Sequence, residues 1–100
     1  MERLFELLQK IRETPQLFIG KPSLERLASF IYGYACNENE IDNKINNLFF
    51  KFQGYIEKYY DIQSTQNWAK IIDFFCSTKE EAFYRFYEHL DEFLKENDET

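Results

Sequence analysis

The sequence predicts an all-α protein, an irregular antiparallel bundle of about five helices in one domain over residues 1–96, with residues 97–100 as a frayed tail. Apolar residues recur at three- and four-residue spacing along most of the chain, the period of a helix packed on one side. Val and Thr are scarce, which argues against strands. Helix stops and starts gather at a few points, chiefly Pro15 to Ser23 and Ser77 to Thr78. A composition 44% hydrophobic and 19% aromatic, with three glycines, excludes a disordered chain, and 100 residues suffice for one core.

The first helix is expected over about Glu2 to Glu13, with Leu4, Leu7, Leu8 and Ile11 on one face and Phe5 at its edge. Pro15 ends it, because proline cannot continue a helix and pushes Thr14 out of the α region. Leu17, Phe18 and Ile19 are then an apolar run too short to be a helix of its own, closed by Gly20 and expected to lie on the core. Pro22 and Ser23 start the second helix, with Ser23 as N-cap and Glu25 in the first turn, where the helix dipole favours an anion. Leu24, Leu27, Ala28, Ile31, Tyr34 and Ala35 follow at helical spacing to about Cys36. Gly33 falls opposite that face, either a point of close approach or a tolerated glycine.

Asn37 to Asn39 is a break. The third, long helix carries Ile41, Ile45, Leu48, Phe49, Phe52, Ile56, Tyr59 and Tyr60 inward and ends near Tyr60, with Gly54 as a point where it can bend. Ser64 and Thr65 offer an N-cap for a short fourth helix built on Trp68, Ile71, Ile72 and Phe75. Ser77 with Glu80, and Thr78 with Glu81, both match the capping-box spacing that opens a fifth helix, whose inner side holds Ala82, Phe83, Phe86, Leu90, Phe93 and Leu94. Leu24, Leu27, Ile31, Phe52, Trp68, Ile72, Phe83 and Phe86 are the expected heart of the core.

Composition and charge narrow the function. No apolar run approaches the roughly 20 residues needed to cross a bilayer, and the charged Met1 to Glu13 segment has no signal-peptide h-region, so a cytoplasmic protein is expected. Glu2, Glu6 and Glu13 suit the first helix poorly to anionic lipid. Cys36 and Cys76 read as two small buried or half-buried thiols, and the lone His89 as a packed or capped residue. Glu88 and Asp91 supply half of the Glu-x-x-Glu and Glu-x-x-Asp pairs with which helical pyrophosphohydrolases hold Mg²⁺, but no Glu-x-x-Glu lies suitably upstream. With no phosphate loop and no complete nucleophile set either, the chain reads as no enzyme, with no metal or cofactor. Lys51 and Lys58 interleave with aromatic residues, yet a pI near 4.8 lacks the electrostatic attraction that dominates nucleic-acid binding. Residues 1–72 hold nine acidic and nine basic side chains, whereas residues 73–100 hold nine acidic side chains against Lys79, Arg85 and Lys95. The whole net charge of −6 therefore lies in the last quarter, where it would steer a basic partner.

The order Ile11, Pro15, Phe18, Gly20, Ser23, Leu24, Leu27, Phe30, Ile31, Gly33 and Tyr34, then Trp68, Ile71 and Ile72, then Glu81, Ala82 and Phe83 resembles a group of small all-helical bacterial proteins. Those are the immunity proteins of contact-dependent growth-inhibition and polymorphic toxin systems. The resemblance covers most of the chain, rests on packing residues and one loop, and implies a cytosolic inhibitor that binds a cognate toxin domain, often a nuclease, by stoichiometric occlusion. Composition alone supports an acidic helical binding protein, which leaves a cytosolic adaptor or regulator of a host protein as the alternative.

For either partner the expected surface is the outer face of the fifth helix: Glu80, Glu81, Tyr84, Glu88, Asp91 and Glu92. With Ala82 at zero and about 100° per residue, Phe86, Leu90 and Phe93 fall within about 80° of it, while Tyr84, Glu88, Asp91 and Lys95 gather near roughly 180–240°. Tyr84 is then an aromatic among carboxylates, a hot-spot type of residue, unless it folds over a neighbouring helix. The Thr14 to Ser23 segment is the next candidate.

Overall fold

A computed structural model describes residues 2–37 and 44–97. Every regular element in them is an α-helix: α1 (Glu2–Glu13), α2 (Pro15–Ile19), α3 (Leu24–Asn37), α4 (Lys44–Tyr60), α5 (Trp68–Phe74) and α6 (Lys79–Asn97). The protein is all-α, with α2 the element beyond the five expected.

α1 buries Leu4, Leu8 and Ile11, and Phe5 packs beside them, while Leu7 is only half-buried. It stops before Pro15, where Thr14 takes φ −139° and returns its N–H to the Lys10 carbonyl at 2.9 Å. The apolar run that follows winds into a single turn, with Pro15 at the start where a missing N–H costs nothing. Of this turn only Pro15 is buried and Ile19 half-buried; Leu17 is 80% exposed and Phe18 39%. Successive side chains on a helix diverge by about 100°, so one turn cannot set the whole run on the core. Gly20 closes the turn at φ +87°, and Arg26 Nη1 donates to the freed Ile19 carbonyl at 2.9 Å. A Cβ at Gly20 would stand 2.6 Å from that same nitrogen.

Ser23 caps α3, its buried Oγ accepting the Arg26 N–H at 3.4 Å. Leu24, Leu27, Ala28 and Ile31 then face the core, and Gly33 is exposed with no atom within 4 Å of an added Cβ, so nothing approaches it closely. The expected break at Asn37–Asn39 and the inward Ile41 fall largely outside the described residues, which resume at Lys44.

Ile45, Phe49, Phe52 and Ile56 line the buried side of α4. Its end is a Schellman turn: Ile62 N–H bonds the Glu57 carbonyl at 3.0 Å, Asp61 N–H bonds Lys58 at 3.2 Å, and Asp61 is left-handed at φ 56°. Tyr59 does not join the core. It is 57% exposed, because the buried place beneath the last turn belongs to His89, over which the Tyr59 ring stands edge-on at 4.4 Å.

The cap of α5 is Asn67, whose side chain accepts the Lys70 N–H at 3.0 Å, rather than Ser64 or Thr65. Ser64 Oγ accepts the Gln66 N–H at 2.9 Å and shapes the turn before it. Trp68, Ala69, Ile71 and Ile72 are buried, but α5 ends at Phe74, so Phe75 becomes its C-cap and is 46% exposed instead of packed. Of the two capping boxes, Thr78 and Glu81 form the working one: Thr78 Oγ1 accepts the Glu81 N–H at 3.0 Å, and the Glu81 carboxylate accepts from Ser77 N–H at 3.0 Å. α6 runs on to Asn97, one residue into the expected tail, and residues 98–100 lie outside the described part.

All eight side chains expected at the heart of the core are at most 2% exposed. Their centre is aromatic. Phe52 meets Trp68 at 5.4 Å, Phe86 at 5.7 Å and Phe93 at 5.3 Å, all edge to face, while Trp68 lies stacked between Phe49 and Phe86 at 5.4 and 5.1 Å. Cys76 is half-buried, as a small hydrophobe can be, but Cys36 is exposed near the end of α3. Among the described residues no helix is long and apolar enough to cross a membrane.

Candidate functional site

α6 is held in one rotational setting. Its buried residues are Ala82, Phe83, Phe86, Tyr87, His89, Leu90 and Phe93, an arc of about 160° when placed at 100° per residue. Tyr87 and His89 widen it. The Tyr87 hydroxyl donates to the Leu8 carbonyl of α1 at 2.6 Å, and the Arg12 guanidinium lies 5.0 Å above its ring. On the other flank His89 Nε2 is 2.7 Å from the Tyr60 hydroxyl of α4.

The remaining arc carries the six expected residues, and all six are exposed. From Glu80 to Glu92 they extend about 18 Å at 1.5 Å per residue. They do not act as one patch. Arg85 sits between Glu81, at 3.7 Å, and Glu88, at 3.1 Å, and Asp91 is held by Arg12 at 3.1 Å. Exposed pairs of this kind contribute about 0–1 kcal/mol, so their main effect is to lower the charge offered to a partner. Glu80 and Glu92 form no ion pair among the described residues. Asp91 lies on the α1 flank. Glu92 lies on the opposite flank with Glu96, where both add to the burial that raises the pKa of the Tyr55 hydroxyl. Tyr84 is 43% exposed and stands edge-on to Phe83 at 4.9 Å, on the ridge between these flanks.

Beside the Glu92 flank runs an aromatic surface of Tyr59, Tyr60, Phe74 and Phe75, of which periodicity had assigned all but Phe74 to the core. Phe74 meets Phe75 at 5.1 Å, Phe75 stacks on Tyr60 at 4.5 Å, and Tyr60 meets Tyr59 at 4.8 Å. A signal for it was present in the sequence. Tyr59–Tyr60 and Phe74–Phe75 are adjacent aromatic pairs at helix ends, and adjacent residues diverge by about 100°, so one of each pair must turn outward.

His89 gives this corner a pH dependence. Burial first, then Arg85, lowers its pKa below the usual 6.5, against an opposing pull from Glu88. The Tyr59 and Tyr60 rings face it, and Cys76 beyond Tyr60 has its thiol pKa raised by burial and then by Glu81. The unfolded chain therefore binds a proton that the folded one refuses, so stability should rise with pH through that window. Urea midpoints are expected to be level above about pH 6.5 and to fall as pH drops toward the lowered folded pKa. His89→Gln should remove that step, and an unchanged step would assign it elsewhere.

Among the described residues no group of three His, Cys, Asp or Glu side chains is placed to hold a metal ion, and no buried side-chain polar atom lacks a hydrogen bond. The arrangement offers charge and aromatic area for contact. Comparison of the chain with protein-family models, with curated proteins and with solved structures gives no match.

Proposed function

We propose that the protein is an immunity protein that binds and neutralises a cognate bacterial toxin domain, of nuclease type and basic, by stoichiometric occlusion in the cytoplasm. The observation that carries this reading is the outer face of α6: a capped helix, anchored over a wide buried arc, presenting Glu80, Glu81, Tyr84, Glu88, Asp91 and Glu92 to solvent. Rigid presentation lowers the entropic cost of association. Glu80 and Glu92, without an ion pair among the described residues, and Glu81, Glu88 and Asp91, only partly offset by arginine, suit the cationic groove with which a nuclease holds phosphates. Occlusion needs only about 800 Å² per partner.

Where a toxin domain is encoded beside it, co-expression of the two should restore growth, and the purified pair should form a stoichiometric complex. Association should slow as salt rises to physiological strength, where screening acts beyond about 8 Å. Tyr84→Ala should weaken binding by about 2 kcal/mol at unchanged Tm, and Glu80→Lys with Glu88→Lys should slow association. Asp91 is the poorer choice for charge reversal because its pair with Arg12 ties α6 to α1, whereas the Arg85 that Glu88 releases keeps Glu81 on the same helix. Absence of growth rescue, with capture of a host protein instead, would return the chain to the adaptor class.

A further inference from the structure

The aromatic surface beside α6 is large for a chain of this size. Phe74 is 80% exposed, Tyr59 57% and Phe75 46%. At about 150–250 Å² per aromatic side chain, these leave on the order of 350 Å² of ring surface in water, comparable to the largest patch on an ordinary monomer. The rings are also held in place. Tyr60 is fixed to His89 by its hydroxyl and lies at 11° to the Phe75 ring, while the Phe75 backbone N–H closes the end of α5.

Phe74 and Phe75 are in addition two walls of an open depression of about 560 Å³, lined further by Ile62 and Ile71 and rimmed by Lys70 and Asp73. This is room for an apolar side chain. The rim is balanced in charge, whereas the flank toward α6 is acidic, with Glu92 and Glu96 beside Tyr55 and with Arg85 already occupied by Glu81 and Glu88. A second copy of the chain would bring these carboxylates against themselves, and nucleic acid or anionic lipid would meet the same repulsion.

We propose that the seam formed by Tyr59, Tyr60, Phe74 and Phe75 docks a basic segment of a protein partner, which seats an apolar side chain beside Phe75 and sets lysine or arginine against Glu92 and Glu96. The inference rests on the reading of a basic protein partner and moves the strongest contacts from Tyr84 to the seam. Phe74 can be truncated without opening the core, and because Tyr59 lies over the buried His89 an unchanged Tm of the double variant is the check that the fold is kept.

Three synthetic probes separate the contributions by amide NMR: an amphipathic helix of leucine and lysine, its leucine and glutamate counterpart, and oligolysine. The leucine–lysine helix should shift amides of residues 59–62 and 71–76, oligolysine only those of α6, and the acidic helix none. Tyr59→Ala with Phe74→Ala should weaken the leucine–lysine helix at least about thirty-fold and leave the oligolysine shifts in place. Binding unchanged in the double variant, or shifts confined to Tyr84 and its neighbours, would overturn the seam. The same variant should lose protection against the toxin domain that the wild type neutralises. Retained protection would overturn the seam and leave the immunity reading standing, whereas a wild type that neutralises no basic toxin would remove that reading, with the peptide arms still deciding the seam.

Discussion

Phe52→Ala is expected to destabilise the protein by about 3–5 kcal/mol, out of a total of roughly 5–15 for a domain of this kind. Phe52 is fully buried, and its ring touches Phe49, Tyr55, Trp68, Phe86 and Phe93 at 5.3 to 6.2 Å. Truncation removes its transfer free energy and leaves a hole walled by rings that hold one another, Trp68 stacked on Phe49 and Phe86 and Tyr55 against Phe93, and that cannot slump inward without losing those contacts. In urea the midpoint should fall at unchanged m-value, and Tm should drop by at least about 12 °C. Phe50→Ala, at a position 81% exposed on the same helix, is the control and should stay within about 0.5 kcal/mol of wild type. Equal effects for the two would mean that α4 is rotated from the setting described here.

Tyr87→Ala should cost about 3 kcal/mol and, unlike Phe52→Ala, should act on one element more than the rest. α1 is tied to α6 by the buried Tyr87 hydroxyl on the Leu8 carbonyl, by Arg12 over the Tyr87 ring, and by the Arg12–Asp91 pair. Two of the three contacts are made by the Tyr87 side chain, and the third by the Arg12 that lies over its ring. Its removal should raise amide exchange in residues 4–12 well above that of α5, reporting local opening rather than global unfolding. Tyr87→Phe keeps the ring and loses only the hydrogen bond, for about 1 kcal/mol. Uniform loss of protection across α1 and α5 would show that α1 does not open separately.

Where local chemistry decides an element, the sequence was readable. Pro15, Gly20, Ser23 and Thr78 each act on their own backbone, and the ends of α1 and the starts of α3 and α6 follow from them. Tertiary surroundings decided the rest. Asn67 displaced Ser64 and Thr65 as cap because Ser64 was drawn into the preceding turn. His89 was read as packed or capped and is so, but Tyr87 was assigned no buried place, since a stripe model gives a helix one covered side, whereas α6 has neighbours on three: α1, reached through Tyr87; α4, reached through His89; and α3 and α5 between them. The same misjudgement, reversed, placed Tyr59 and Phe75 inside. Exposure of the six α6 residues was legible from spacing; the Arg85 pairs with Glu81 and Glu88, four and three residues away on the same helix, were open to the same reading but not drawn, whereas Arg12 masking Asp91 needs two helices brought together in three dimensions.

The left-handed turns at Gly20 and Asp61 have a consequence for descent. Neither depends on what the protein binds. A lineage that exchanges one partner for another is free to rewrite Glu80, Tyr84 and Glu88, because exposed helix positions accept most residues. Position 20 has little such freedom, since a φ of +87° strains any L side chain and a Cβ would also displace the Arg26 tip that caps Ile19, and position 61 tolerates little beyond glycine, asparagine and aspartate. Distant kin of this chain should therefore be recognised by these two backbone corners and the intervals between them, long after the surface that meets the partner has diverged.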